Sequence, residues 1–168
     1  KFPFWIVSDT LEAFQKLVLF KRRTLNIPVV GITGSVGKTT TKEMMGEVLK
    51  KLGKIKLTQL NYNNEIGLGL TILDSDSKDK ILILEMGMRG LGQIENLSKF
   101  SEPDIAVITN IGSSHIGILG SKENITKAKC EIAKYLNPKG VVIIPANDKF
   151  LEETLKKNWN GRIIKVEL

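Results

Sequence analysis

The stretch GITGSVGKTTT, Gly31 to Thr41, sets three glycines and four threonines around a single lysine. It follows the short β-rich run Ile27 to Thr33 and precedes a segment in which Met44, Met45, Val48, Leu49 and Leu52 recur at helical spacing up to Gly53. The stretch therefore joins a strand to a helix. A strand, a glycine loop and Gly-Lys-Thr at a helix start aim backbone N–H groups and the positive end of the helix at phosphate oxygens. In this reading Gly34, Ser35, Val36, Gly37, Lys38, Thr39 and Thr40 bind a nucleotide, with Lys38 reaching the β- and γ-phosphates and Thr39 holding Mg2+. The loop is a variant, because Ile32 stands where strict G-x-x-x-x-G-K-[ST] spacing places its first glycine. A glycine-rich turn with a chance lysine would share these residues but not their strand-loop-helix setting.

Working outward, Asp9-Thr10-Leu11-Glu12 has the form of a capping box, and Leu11, Phe14, Leu17 and Val18 then lie on one helical face. That helix ends in the basic cluster Lys21-Arg22-Arg23, where cations complement the helix dipole, and Asn26 and Pro28 stop it. Downstream, Ile81 to Leu84, Ile105 to Ile108 and Val141 to Ile144 are short, β-branched and apolar on both faces, as buried parallel strands are. Ile94 to Phe100 and Ile125 to Leu136 separate them at helical spacing, and Arg162 to Leu168 reads as another strand. The expected fold is α/β: a doubly wound, mostly parallel sheet with helices on both faces, of the P-loop type.

A length of 168 residues with 42% apolar side chains supports one ordinary domain. No apolar run reaches the ~18 residues of a membrane span, and the first ten residues lack a signal-peptide pattern. One cysteine, Cys130, forms no internal disulfide and fits a reducing, cytoplasmic setting. The 25 Lys+Arg against 18 Asp+Glu give +7, which suits an anionic partner. Because the lysines are scattered and not interleaved with aromatics, nucleic acid is not expected.

Ligands of open α/β sheets bind beyond the carboxyl ends of the strands. There the sequence places Glu85, suited to a magnesium ion, then Thr109, Asn110 and a loop with His115, the only histidine, and finally Asn147 and Asp148. Each alone also fits a cap, a surface imidazole or a turn. Beside a phosphate loop, His115 is a candidate metal ligand and Asn110 a candidate nucleotide contact. A further residue stands out by periodicity. Ile125, Ala128, Ile132, Ala133 and Leu136 form one apolar stripe, and Lys129 lies inside it. A lysine there must snorkel, find a carboxylate or lose its proton.

The motifs GSVGKTT (Gly34 to Thr40), NYNNEIG (Asn61 to Gly67), EMGMRG (Glu85 to Gly90), TNIGSSH (Thr109 to His115) and AKCEI (Ala128 to Ile132), in this order, resemble the Mur ligases. Within them, Glu-Met-Gly after the central strand and Asn-Asn-Glu-Ile-Gly resemble the branch that adds D-alanyl-D-alanine to UDP-N-acetylmuramoyl-tripeptide. The resemblance implies ATP and Mg2+ as cofactors, an acyl-phosphate route to the amide bond, and a monomer. It also implies that Thr39, Glu85, His115 and Lys129 serve the metal ions, and that Lys38, Lys129 and His115 are catalytic. Lys129, fourteen positions after His115, matches a lysine that the family carbamylates. Asn63 and Asn64 would contact substrate, a turn-stabilising role being the other reading. Residues 1–26 would be the tail of a UDP-sugar-binding domain and the connecting helix, and 27–168 part of the central ATP-binding domain, without the C-terminal domain. Leu60 replaces a usual glycine and Gly69 a frequent proline. A sister enzyme such as a folylpolyglutamate synthase, or a nucleotide-driven switch that only hydrolyses ATP, is the competing expectation.

Overall fold

The computed structural model describes residues 3–167; Lys1, Phe2 and Leu168, the last residue of the expected final strand, lie outside them. The chain runs α1 (Thr10–Thr24), β1 (Val29–Thr33), α2 (Lys38–Leu49), β2 (Lys54–Leu57), α3 (Glu65–Leu73) and β3 (Asp79–Glu85). It continues through α4 (Gln93–Ser101), β4 (Ile105–Ile108), the single turn α5 (Ile116–Leu119), α6 (Lys122–Cys130), β5 (Val141–Pro145), α7 (Lys149–Leu155) and β6 (Arg162–Val166). The six strands form one sheet in the order β2-β3-β1-β4-β5-β6, and every neighbouring pair is parallel. The doubly wound α/β expectation holds. The strand order reverses beside β1, so its carboxyl end is the switch point where such sheets bind ligands.

The two faces are covered unequally. Val18, Leu68, Ile72, Leu97, Ile125 and Leu151, drawn from α1, α3, α4, α6 and α7, pack against one face. On the other, Met45 and Leu49 of α2 cover Val30, Ile32, Ile83 and Val107. Here the expected helix face needs correction: Met44, Val48 and Leu52 are exposed. The inward positions are Lys42, Met45, Gly46 and Leu49, also spaced i, i+3, i+4, i+7. Gly46 lets α2 sit close on β2, since a Cβ there would lie 2.8 Å from a Leu57 methyl and push it aside. On α1 the expected face is similarly narrowed, with Val18 buried while Leu11 and Leu17 remain exposed. The helix expected over Ile125 to Leu136 ends at Cys130 and tightens into a 3-10 turn over Glu131–Ala133.

The basic cluster is structural, as its position at the end of α1 implied. Arg22 donates to the carbonyls of Ser101 and Glu102 at 2.7 and 2.9 Å and to Asp104 Oδ2 at 3.0 Å. Asp104 Oδ2 also accepts the N–H of Val29 at 2.8 Å, and Oδ1 accepts the Asn137 amide at 2.9 Å. One carboxylate thus ties α1, the start of β1 and the turn before β5. Replacing it leaves a guanidinium and a backbone N–H without their charged acceptor, each worth about 1–3 kcal/mol. Asp104→Ala is expected to lower unfolding free energy by about 2–4 kcal/mol in urea denaturation; a change under about 0.5 kcal/mol would contradict this role.

Candidate active site

The phosphate loop is braced by β4 and the segment after it. Ser35 N–H donates to the Asn110 carbonyl at 3.2 Å, Val36 N–H to Asn110 Oδ1 at 3.1 Å, and Thr109 Oγ1 to the Val36 carbonyl at 2.6 Å. Ser35 Oγ accepts the Gly112 N–H at 2.8 Å. Gly34 sits at φ +154, and a Cβ there would fall 1.8 Å from Thr109 Oγ1, so the close approach of the two strand ends demands glycine. Gly37, at φ 81, begins α2 without any side-chain cap. The N–H groups of Lys38, Thr39 and Thr40 therefore stand in the first turn without helical acceptors, ready for an anion. Lys38 Nζ donates to the Gly34 carbonyl at 2.9 Å and so already arches over the loop.

Glu85 ends β3 nearly fully buried. Its Oε2 accepts from Thr39 Oγ1 at 2.8 Å and its Oε1 from Asn63 Nδ2 at 3.0 Å. The donor set suits Mg2+, a hard ion that takes oxygens at about 2.1 Å in octahedral geometry and keeps room for waters and phosphates. Neighbouring oxygens of such an octahedron lie about 3.0 Å apart, close to the Thr39–Glu85 separation. No cluster of three or more His, Cys, Asp or Glu able to hold a metal occurs among the described residues. The site thus fits an ion that arrives with phosphate oxygens better than one caged by protein.

A cavity of about 600 Å3 opens beside the loop, lined by Lys38, Asn63, Asn64, Arg89, His115 and Lys129 among others. Lys129 is 1% exposed. Burial first, and the Lys38 charge second, hold its ammonium down to about 8. Burial and the cations of Lys129, Lys38 and Arg89 likewise push His115 below the usual imidazole value, which favours the form of the ring that can act as a ligand. Cys130, the next residue, is buried among apolar atoms and pushed up to about 12, which makes it an unreactive thiol.

The structure brings Gly34 to Thr40, Glu85, Asn110, His115 and Lys129 to one end of the sheet. Asn63 and Asn64 also line the cavity, but their amides are already engaged: Asn63 holds Glu85, and Asn64 Oδ1 caps α3 through the Gly67 N–H at 2.9 Å. Asn147 lies instead on the open side of the sheet beside Met45 and Ile143, and Asp148 caps α7. Leu60 takes φ 49, the left-handed conformation that a glycine adopts without strain. Two features lay outside the sequence reading. Lys42 is fully buried, and Glu131 Oε1 accepts the Gly92 N–H at 2.8 Å, capping α4 from the residue after Cys130. Hydrophobic periodicity offered no signal for either.

The family model of the Mur ligase middle domain matches residues 32–167. The chain belongs to the Mur ligase family. A UDP-N-acetylmuramoyl-tripeptide--D-alanyl-D-alanine ligase of Synechocystis sp. is 43% identical over 160 residues, 95% of this chain and 35% of that protein. A crystal structure of MurF from Acinetobacter baumannii superposes with a TM-score of 0.89 at 35% identity, covering 95% of this chain and 36% of that one. The Thermotoga maritima MurF ligase in complex with ADP gives a TM-score of 0.86 at 34% identity, covering 95% and 37%. The chain thus spans roughly a third of the length of these Mur ligase relatives.

The lowered Lys129 has a thermodynamic signature. The unfolded chain keeps that proton to about 10.4, whereas the folded chain releases it near 8. The unfolded state binds more protons between those values, so this lysine makes stability rise with pH there. Lys129→Met is expected to be more stable than the wild type at pH 7 by about 2–3 kcal/mol, an advantage that fades by about pH 10. A pH-independent difference would show that Lys129 is an ordinary solvated ammonium.

Proposed function

We propose that this chain is the ATP-binding part of a ligase that adds D-alanyl-D-alanine to UDP-N-acetylmuramoyl-tripeptide through an acyl phosphate, in peptidoglycan precursor synthesis. The observation that carries the reading is the convergence of Lys38, His115 and Lys129 on one cavity at the carboxyl end of the sheet, with the Thr39–Glu85 pair joined to its wall through Asn63. The named relatives, among them the ADP complex, support the ATP and the two substrates. In the same reading residues 1–26 lead in from a preceding UDP-sugar domain, with α1 as the connecting helix docked on this core through Val18 and Arg22, and the protein works as a monomer in the cytoplasm. No helix among the described residues is long and apolar enough to cross a membrane.

The difficulty of the reaction is electrostatic, since a polyanionic nucleotide must approach a carboxylate. The α2 amides and Lys38 hold the β- and γ-phosphates and spread their charge. Mg2+ on Thr39 and Glu85 would supply further charge neutralisation at the transferring phosphoryl group. The substrate carboxylate attacks the γ-phosphorus, ADP leaves, and the amine of the dipeptide then displaces phosphate from the acyl carbon. Lys129 at about 8 is roughly one-tenth neutral amine at pH 7, the form that adds to carbon dioxide with loss of a proton. The resulting carbamate is an anion in the cavity that His115 also lines, and the two would suit a second metal ion. A switch that only hydrolyses ATP has no use for a buried amine in the γ-phosphate cavity.

In the full-length ligase carrying this sequence, Lys38→Ala is expected to lower phosphoryl transfer by at least ~1,000-fold. Lys129→Ala is expected to be folded and nearly inactive, and short carboxylates such as acetate to restore part of its turnover by occupying the vacated anion site. Full activity of Lys129→Ala without an additive would overturn the catalytic reading.

A further inference from the structure

Lysine is rarely buried completely unless paired, yet among the described residues Lys42 and Lys129 are. Lys129 opens into the cavity already described. Lys42 lies on the inward face of α2, 0% exposed, and its Nζ donates to the Thr58 carbonyl at 2.7 Å. The same nitrogen stands 3.1 Å from Glu43 Oε1 and 3.8 Å from Glu85 Oε2. Thr58 completes the link, because its Oγ1 accepts the N–H of Glu85 at 3.0 Å. Glu43 is a half-exposed partner on the solvent side; Glu85, only 3% exposed, has no comparable access to water. The buried carboxylate therefore has a fixed cation 3.8 Å from Oε2, the oxygen that also accepts from Thr39, while its Oε1 accepts from Asn63.

We propose that Lys42 is a positioning residue that acts as a built-in countercharge for Glu85, so that a divalent cation enters this site with the nucleotide's phosphates and not alone. Resting on the reading of Glu85 as the metal-facing carboxylate, it adds an order of loading. A dication alone meets a Glu85 charge partly offset by Lys42, whose nearer partner Glu43 is half-exposed and screened by water, so the cation's attraction to Glu85 is reduced by repulsion from an ammonium 3.8 Å from that carboxylate. A nucleotide carrying its own negative charge tips the balance. Thr58 holds both partners in register, since it bonds the lysine through its carbonyl and the backbone of Glu85 through its hydroxyl. A lysine that merely filled space in the core would give the opposite signature, because its removal would loosen Glu85 and weaken metal binding.

The test is a titration of Mn2+ into the nucleotide-free, full-length ligase, with free Mn2+ followed by electron paramagnetic resonance and folding checked by thermal unfolding. Lys42→Met is expected to bind Mn2+ at least ~10-fold more tightly than the wild type, and Lys42→Arg, which keeps the charge, to bind it as weakly as the wild type. Should Lys42→Met fail to fold, Lys42→Gln retains a donor for the Thr58 carbonyl and carries the same expectation. Unchanged or weaker Mn2+ binding in the folded neutral variant overturns the proposal. A parallel titration in the presence of ATP isolates the reading beneath it. Loss of nucleotide-dependent Mn2+ binding in Glu85→Gln upholds Glu85 as the metal-facing group, whereas wild-type binding there overturns that reading and the countercharge with it.

Discussion

Strand β1 is hydrogen-bonded on both sides, with Ile32 in register with Glu85 of β3 and Thr33 with Ile108 of β4. This pairing delivers the phosphate loop, the Glu85 carboxylate and the Thr109–Asn110 brace to one edge of the sheet at the same height. Contact across that edge is tight enough to exclude a side chain at Gly34, where a Cβ would collide with Thr109. The sheet itself is ordinary. What is demanding is three strand ends brought within hydrogen-bonding reach of one loop.

Cations then dominate that edge. Lys38, Arg89 and Lys129 line the cavity beside His115, and Lys42 stands 3.8 Å from Glu85. Mutual repulsion and burial are costs to the fold, visible in the lowered Lys129 and His115. They are the costs expected of a site shaped for a polyanionic ligand, which supplies the missing negative charge on binding. Around it the framework is neutralised pair by pair, as in Arg22 with Asp104 and Lys54 with Asp79.

The Mur ligase fold and the placing of most candidate site residues at one end of the sheet were legible because they depend on local signals. Apolar runs long enough to be buried on both faces marked β3, β4 and β5, the glycine loop marked the switch point, and one periodic stripe exposed Lys129 as anomalous. Strand β2 escaped because Lys-Ile-Lys-Leu is a short edge strand, whose lysines pair with Asp74, Asp76 and Asp79 and carry no core pattern. The inward face of α2 was misread because its key positions are a glycine and a lysine, which apolar periodicity passes over. Lys42 became visible only when the Thr58 carbonyl and Glu85 were placed beside it by tertiary structure. The double use of Asn63 and Asn64, on a carboxylate and on a helix cap, likewise depends on contacts that sequence spacing does not carry.

The central claim is that this edge of the sheet activates a carboxylate with ATP and does not simply hydrolyse the nucleotide. The most direct measurement is ADP release by the full-length ligase with each substrate withheld in turn. The account predicts steady turnover only when ATP, UDP-N-acetylmuramoyl-tripeptide and D-alanyl-D-alanine are all present, with one ADP formed per amide bond. Sustained ADP release with ATP and Mg2+ alone, at the rate seen with both acceptors present, would contradict it.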